Sequence, residues 1–513
     1  MTQIRISFLF YSAFLLFPLL RAVEINDAWL TKFVFLFVIS AIFLLIALFR
    51  KEIEIIRFKW VFAFSIFVFY SSLRGQFSHT NIYSNLECLK NLSFPVFTLA
   101  VYFLFREKKE ILLKILNIQS IILITASLFF YFNINYAIRS YWNFGSFNLK
   151  FGFSFEDYLF FYNKNFLSIY LFLLSIIIYF YSDKKFISIL LLIIAFLCNT
   201  GSVKVVFLFT AFIYILRKKG IKINLFYLIT VQLIFLLIFT LFSGALNMPS
   251  SYRHRIVLWK SSIKMFKDNP LFGVGSGNFI VFIPKYFLEE EKNDNFDISP
   301  YAHNDYLEIL AENGIIGFIL FMISLYILFK ESDDNISIIL YSFFTLAMFT
   351  MTRQMAGAIF LISIALCLEG RDSKIIKLNF FEKTEVFLVF IAFFIGSIMT
   401  FFSMYYTNKG YSFLENGKIQ AASKAFEKSL KFRKANTPVL ISLSDIYFKN
   451  KEKEKALLFA EKVYKLEPYR RTNLYNLGNI YASVGDFIKA KKYFNEFSNI
   501  QKTGPRSETD FSN

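Results

Sequence analysis

The sequence predicts an all-α membrane protein: a polytopic helical bundle of about 13 spans, followed by an α-helical repeat domain. Three observations carry this expectation. Hydrophobic residues make up 56% of the 513, with 71 Phe and 29 Tyr, and the mean hydropathy of +0.51 lies outside the range of water-soluble globules. Apolar stretches of roughly 17–25 residues, the length a helix needs to cross a hydrocarbon core, recur as far as residue 402. Beyond residue 403 they give way to charged, alanine-rich sequence with a 34-residue period.

The spans fall at 5–20, 30–49, 58–73, 89–105, 111–133, 163–181, 185–200, 202–216, 223–243, 306–329, 335–352, 355–369 and 384–403. Arg5 precedes the first as it would a signal peptide, but no small-x-small cleavage site follows, so this stretch is kept as a span. Short loops rich in Lys and Arg, at 50–59, 106–114, 182–185, 217–222 and 371–377, all fall on one side of the 13-span layout. That side is expected to be the cytoplasm, with the N-terminus. The loops 74–88, 134–162 and 244–305, and everything after residue 403, then lie outside. Much of the net charge of +19 is thus topology signal, and no nucleic-acid partner is needed to explain it. Cys88, in an outer loop, and Cys198 and Cys367, in or near spans, form no disulfide or metal pattern.

In the tail, Ala422, Ala456 and Ala490 are each 34 residues apart, the period of tetratricopeptide repeats. Leu443 and Tyr447, then Leu477, Gly478 and Tyr481, take the positions of that repeat's first helix, and Gly410 with Phe413 match in the first repeat. Phe426 and Phe494 follow their alanines by four residues, and Pro468 closes the second repeat. Small residues allow close helix approach while aromatics fill the gap between units. The expected organisation is a membrane domain over 1–403 with a large extracytoplasmic loop at 244–305, a repeat domain over 404–502 and a disordered tail over 503–513.

Candidate chemistry gathers in the 244–305 loop. Arg253 and Arg255 bracket His254, and a helix over 252–267 would place Arg255 and Trp259 on one face, with Lys260 and Lys264 nearby. A guanidinium offers a planar fork of donors suited to phosphate oxygens; the alternative is an amphipathic helix resting on lipid headgroups. NPLFGVGSGNF, 269–279, lacks the glycine spacing of a dinucleotide fingerprint and is expected to form a tight turn, so no cofactor is expected. In SPYAHNDYLEILAENGIIG, Asn304 or Asp305 can cap the helix that becomes the tenth span, leaving His303 at its outer mouth. A lone histidine in such a place is often structural.

R-x-x-x-W, NPLFGVGSGNF and HNDYLEILAENGIIG, in that order, resemble the signature region of the O-antigen ligase and polymerase family of bacterial membrane glycosyltransferases. The resemblance implies an all-helical membrane glycosyltransferase (GT-C-like) acting at the outer face of the cytoplasmic (inner) membrane. It would move a glycan from undecaprenyl diphosphate to a hydroxyl on lipid A core, growing glycan or protein. It also implies His303 as the catalytic base, with Asn304, Asp305 and Glu308 in support, and Arg255, Arg253 and Lys204 on the donor diphosphate. In many members an arginine follows a Gly-Ser or similar pair at the outer start of a span; here Val203 and then Lys204 follow it, so Lys204 keeps the charge, loses the fork and is the weaker match.

An imidazole of ordinary pKa, roughly 6.5, is largely neutral at external pH, and transfer is expected to rise with pH through roughly 6 to 7. Glu156 and Asp157 are the nearest candidates for a metal-binding pair, and the expectation is that no metal takes part. A polysaccharide or lipid transporter is the alternative from another class, and a membrane-anchored repeat scaffold is a third. Lys204, Arg253, Arg255, His303 and Arg353 all map to one face of the layout, which favours surface chemistry over passage. The repeat domain is expected to dock a protein partner or orient an acceptor, or else only to stiffen the tail.

Overall fold

A computed structural model describes residues 11–19, 28–50, 53–56, 59–78, 81–131, 164–198, 200–221, 229–230, 250–286, 299–369, 373–376 and 379–501. Glu156, Asp157, most of the ninth span and the tail after 501 lie outside them.

The membrane part is helical: α1 (Ala28–Phe49), α2 (Lys59–Gln76), α3 (Asn81–Phe105), α4 (Lys109–Tyr131), α5 (Lys164–Tyr181), α6 (Lys185–Leu197), α7 (Gly201–Lys218), α8 (Ser250–Asp268), α9 (Phe279–Tyr286), α10 (Asp305–Glu331), α11 (Asp334–Leu346), α12 (Ala356–Leu368) and α13 (Phe380–Glu415). The repeats follow as α14 (Ile419–Phe432), α15 (Thr437–Lys449), α16 (Lys453–Leu466), α17 (Arg471–Ser483) and α18 (Phe487–Gln501). Among the described residues five helices are long and apolar enough to cross a membrane, and four apolar helices are shorter. One feature departs from the all-α expectation: β1 (Ile53–Ile56) and β2 (Ser373–Ile376) form a two-stranded antiparallel ladder, with Ile53 opposite Ile376.

The chain packs as two compact units. The first comprises Met1–Lys59, Ser93–Thr230 and Tyr326–Ile395. Its core is aromatic: Phe17 stacks on Phe360 with centroids 4.0 Å apart, and Phe14 lies 6.0 Å from Phe97. The Gln119 amide satisfies a buried backbone carbonyl, donating to Phe14 O at 2.5 Å, and accepts from the Tyr170 hydroxyl at 3.2 Å. Helices α7 and α11 run antiparallel, tied by Arg217 with Asp334 at one end and Thr210 with Ser342, 2.8 Å, midway. Every residue of α12 is buried, and so is every α11 residue from Ile336 onward.

The second unit comprises Trp60–Leu92, Val231–Leu325 and Gly396–Asn513. In its repeat portion Ala422, Ala456 and Ala490 are buried. A Cβ on Gly410 would collide with the Phe426 ring, and one on Gly478 with the Phe494 ring. In the first and third repeats the small residue and the aromatic therefore meet as the 34-residue pattern requires.

Helix α10 departs from the continuous span expected. Gly314 has φ 64° and ψ −168°, which breaks the helix after three turns. The glycine turn fills the gap with backbone hydrogen bonds: Val274 N donates to Ala311 O (3.0 Å), Gly275 N to Glu312 O (2.8 Å) and Ile315 N to Pro270 O (2.9 Å). The break is thus closed by a partner 40 residues earlier in the chain, which leaves few backbone groups unsatisfied. Gly273 also has positive φ, and a Cβ there would overlap the Glu312 carbonyl; a Cβ on Gly314 would overlap that of Leu271.

Candidate active site

The mouth of α10 is built by its own capping. Asn304 Oδ1 accepts from Tyr306 N and Leu307 N, both at 3.1 Å, so Asn304, not Asp305, is the cap. Glu308 reaches back, and its Oε2 accepts from Ala302 N at 2.8 Å. These two anchors hold the backbone on either side of His303. His303 itself sits at φ 52°, a left-handed conformation that costs a non-glycine residue about 1–3 kcal/mol unless its surroundings hold it there. Asn304, Asp305 and Glu308 are all buried, while His303 is half-buried at the surface they form.

His303 lies under the influence of α8. Burial, then the Arg255 guanidinium, then His254 hold its imidazole well below the ordinary value, at about 3. The imidazole is therefore not the ordinary one that the sequence leads one to expect, and burial is the main cause. Helix α8 spans the expected residues, so Arg255 and Trp259 share a face; Trp259 is buried, Arg255 half-buried and Arg253 exposed.

Two residues join this neighbourhood without a signal in the sequence. His254 faces His303 closely enough to disfavour its protonation. Lys90, on α3, has its ammonium 6.0 Å from the centroid of the Tyr301 ring and 3.9 Å from Glu87. Helix α3 begins at Asn81, so Cys88 is helical where an outer loop was expected, while Lys90 lies in the expected span; Cys88 pairs with the Ser72 hydroxyl at 3.2 Å.

The remaining candidates belong to the first unit. Lys204 is exposed on the first turn of α7, in the other unit. Arg353, also in that unit, is 9% exposed on a short 3-10 turn between α11 and α12, so it is not on an open face. Among the described residues no group of three or more His, Cys, Asp or Glu side chains is placed to hold a metal ion.

Residues 166–322 match the family model for O-antigen ligase, and residues 405–436, 437–470 and 472–503 match that for the tetratricopeptide repeat. Along the chain, a region similar to O-antigen ligase is thus followed by a region similar to tetratricopeptide repeats. No curated protein matches it. The ligase region includes Lys204, Arg253, Arg255, His303 and the broken first half of α10. It supports a glycosyltransferase of ligase or polymerase type in a multi-pass membrane protein, and the repeats support protein interaction.

Proposed function

We propose that this protein transfers a glycan from undecaprenyl diphosphate to an acceptor hydroxyl at the outer face of the bacterial cytoplasmic membrane, without a metal and with His303 as general base. The observation that carries this reading is His303 fixed at the mouth of α10 by the Asn304 cap and the Glu308 to Ala302 bond, with the Arg255 guanidinium close enough to disfavour its protonation. A neutral imidazole can accept the proton of an attacking hydroxyl, and the same arginine that repels a proton attracts a diphosphate. The acceptor oxygen forms its bond to the anomeric carbon, and its proton passes to His303. The bond from that carbon to the diphosphate breaks, and the lipid diphosphate leaves with the electron pair. Arg255, Arg253 and Lys90 meet its charge where low dielectric strengthens the attraction, and Lys204 is retained as a donor-binding residue.

The layout supports the assigned sides. Contacts join segments on the basic side: β1 with β2, Lys59 N with Glu331 (3.2 Å), Lys109 with Leu368 O (3.4 Å), and Arg217 with Asp334. Tyr83 joins the 74–88 segment to the repeats, both assigned to the outside. The repeat domain then lies outside the membrane, in the periplasm where there is an outer membrane, facing a protein partner or acceptor.

The acceptor is proposed as lipid A core or a similar saccharide, with glycan polymerisation and protein O-glycosylation as alternatives. Glycan profiling of a deletion strain decides among them. Full-length polymer stranded on the carrier indicates a ligase, single repeat units a polymerase, and unglycosylated proteins a protein transferase; an unchanged glycan profile would reject the transferase reading. One observation favours transport instead, the buried Arg353 on the turn between two short apolar helices. A transporter would leave glycan linkage intact and change only its sidedness.

A further inference from the structure

We infer that the repeat domain is a working part of the transfer site, and that Tyr83 is the positioning residue through which it acts. This rests on the transferase reading above. Tyr83 lies in the first turn of α3, and its hydroxyl donates to Glu467 Oε1 and meets Thr437 Oγ1. Both partners are buried, Glu467 at 4% and Thr437 at 1% exposure. Thr437 opens α15, while Glu467 follows α16 and is itself held by Arg470 at 2.6 Å. Two separate points of the repeat stack therefore converge on one phenol of the membrane domain. A second contact lies alongside, with the Phe282 ring of α9 6.0 Å from that of Tyr469. A tail that only stiffened itself would need no tie to α3, yet Glu467, already paired with Arg470 within the repeats, also accepts from the Tyr83 hydroxyl.

The grip is transmitted by α3. Tyr83, Glu87 and Lys90 are spaced i, i+4 and i+7, so they lie on one face of the helix, with about 10 Å of rise between first and last. At the far end Lys90 stands over the Tyr301 ring, two residues before His303. The near end is wedged as well: Ser84 Oγ donates to Ser276 O at 2.5 Å, and Gly277 passes so close to the Tyr83 backbone that a Cβ would crowd it. The first turns of α3 are thus fixed between the repeats and the glycine turn, and they set where Lys90 and Tyr301 stand. Loss of the Tyr83 hydroxyl frees one side of this clamp.

The test uses the full chain, purified, with Cys198→Ala and Cys367→Ala so that Cys88 is the single thiol. Cys88 lies on α3 between Tyr83 and Lys90 and reports on the helix whether or not the enzyme turns over. Tyr83→Phe and Glu467→Ala are each expected to speed Cys88 alkylation about tenfold and to lower kcat about tenfold, the scale of losing one hydrogen bond to a charged group. The double variant should be no worse than either single, because both cut the same link. Glu467→Gln, which still accepts a hydroxyl, should recover most of the loss. A merely structural role would lower the yield of folded protein and leave labelling and turnover per folded molecule unchanged. Wild-type labelling and kcat in Tyr83→Phe, or fully additive losses in the double variant, would overturn the inference. If the wild-type chain transfers no glycan, the transferase reading fails, and Cys88 labelling still decides the grip.

Discussion

His303 is held in a left-handed backbone conformation by the Asn304 cap on one side and the Glu308 to Ala302 bond on the other. Its imidazole, lowered to about 3 from an ordinary 6.5, is neutral over all of pH 5 to 8. The rise in rate through pH 6 to 7 that an ordinary histidine would give is therefore not expected. For the free enzyme, kcat/KM should be flat over that range as far as His303 governs it, falling only as pH approaches the lowered value. Donor binding brings negative charge against Arg255, which offsets its repulsion, so the fall in kcat should come at a higher pH than that in kcat/KM. Separate pH profiles of the two constants check this, and a kcat/KM that climbs through 6 to 7 would mean an exposed, ordinary imidazole. Arg255→Lys keeps the charge and loses the fork, and should cost about tenfold or more in donor use; wild-type kinetics would reduce Arg255 to a net-charge role. At this scale the sequence was informative where chemistry is local. A cap at Asn304 or Asp305 and the i, i+4 spacing of Arg255 and Trp259 can be read from adjacent residues. Lys90 and His254 could not be placed, because their nearness to Tyr301 and His303 is set by how α3, α8 and the α10 mouth pack.

At the scale of elements, the least expected feature is the break in α10. AENGIIG sits inside an apolar run and reads as uninterrupted helix, since a single glycine is tolerated there. What makes the break stable is the 270–275 turn, whose hydrogen bonds come from 40 residues away. Gly273→Ala should destabilise the protein by more than the ~1–2 kcal/mol that a left-handed alanine costs, since its Cβ would also overlap the Glu312 backbone. Gly220→Ala is the control, with φ 78° but open space around it, and should cost only the conformational part. Thermal melts of both variants in detergent test this. Equal losses would mean that the turn yields to the extra methyl and does not lock the break. The repeats, by contrast, were legible almost residue by residue, because their helices pack on sequence neighbours at a fixed period.

For the whole molecule, hydropathy and the Lys/Arg bias lay out a chain of spans but do not reveal that the packing is interleaved. Nearly all of α2, the first half of α3, the 250–325 segment and the repeats belong to one unit, though they are far apart in sequence. Such long-range grouping depends on contacts like that of Tyr83 with Glu467, which leave no periodic trace. A reporter fused after residue 403 should be active only outside the cytoplasm, and cytoplasmic activity would overturn the assigned topology. The central claim, glycan transfer with His303 as base, is tested most directly with purified full-length protein, a glycan-loaded undecaprenyl diphosphate and an acceptor. Transfer by the wild type should persist in chelator. His303→Gln should still bind the donor but lose at least about a hundredfold in transfer, within the range of removing a general base. A His303→Gln protein that transfers glycan at the wild-type rate would contradict the central claim.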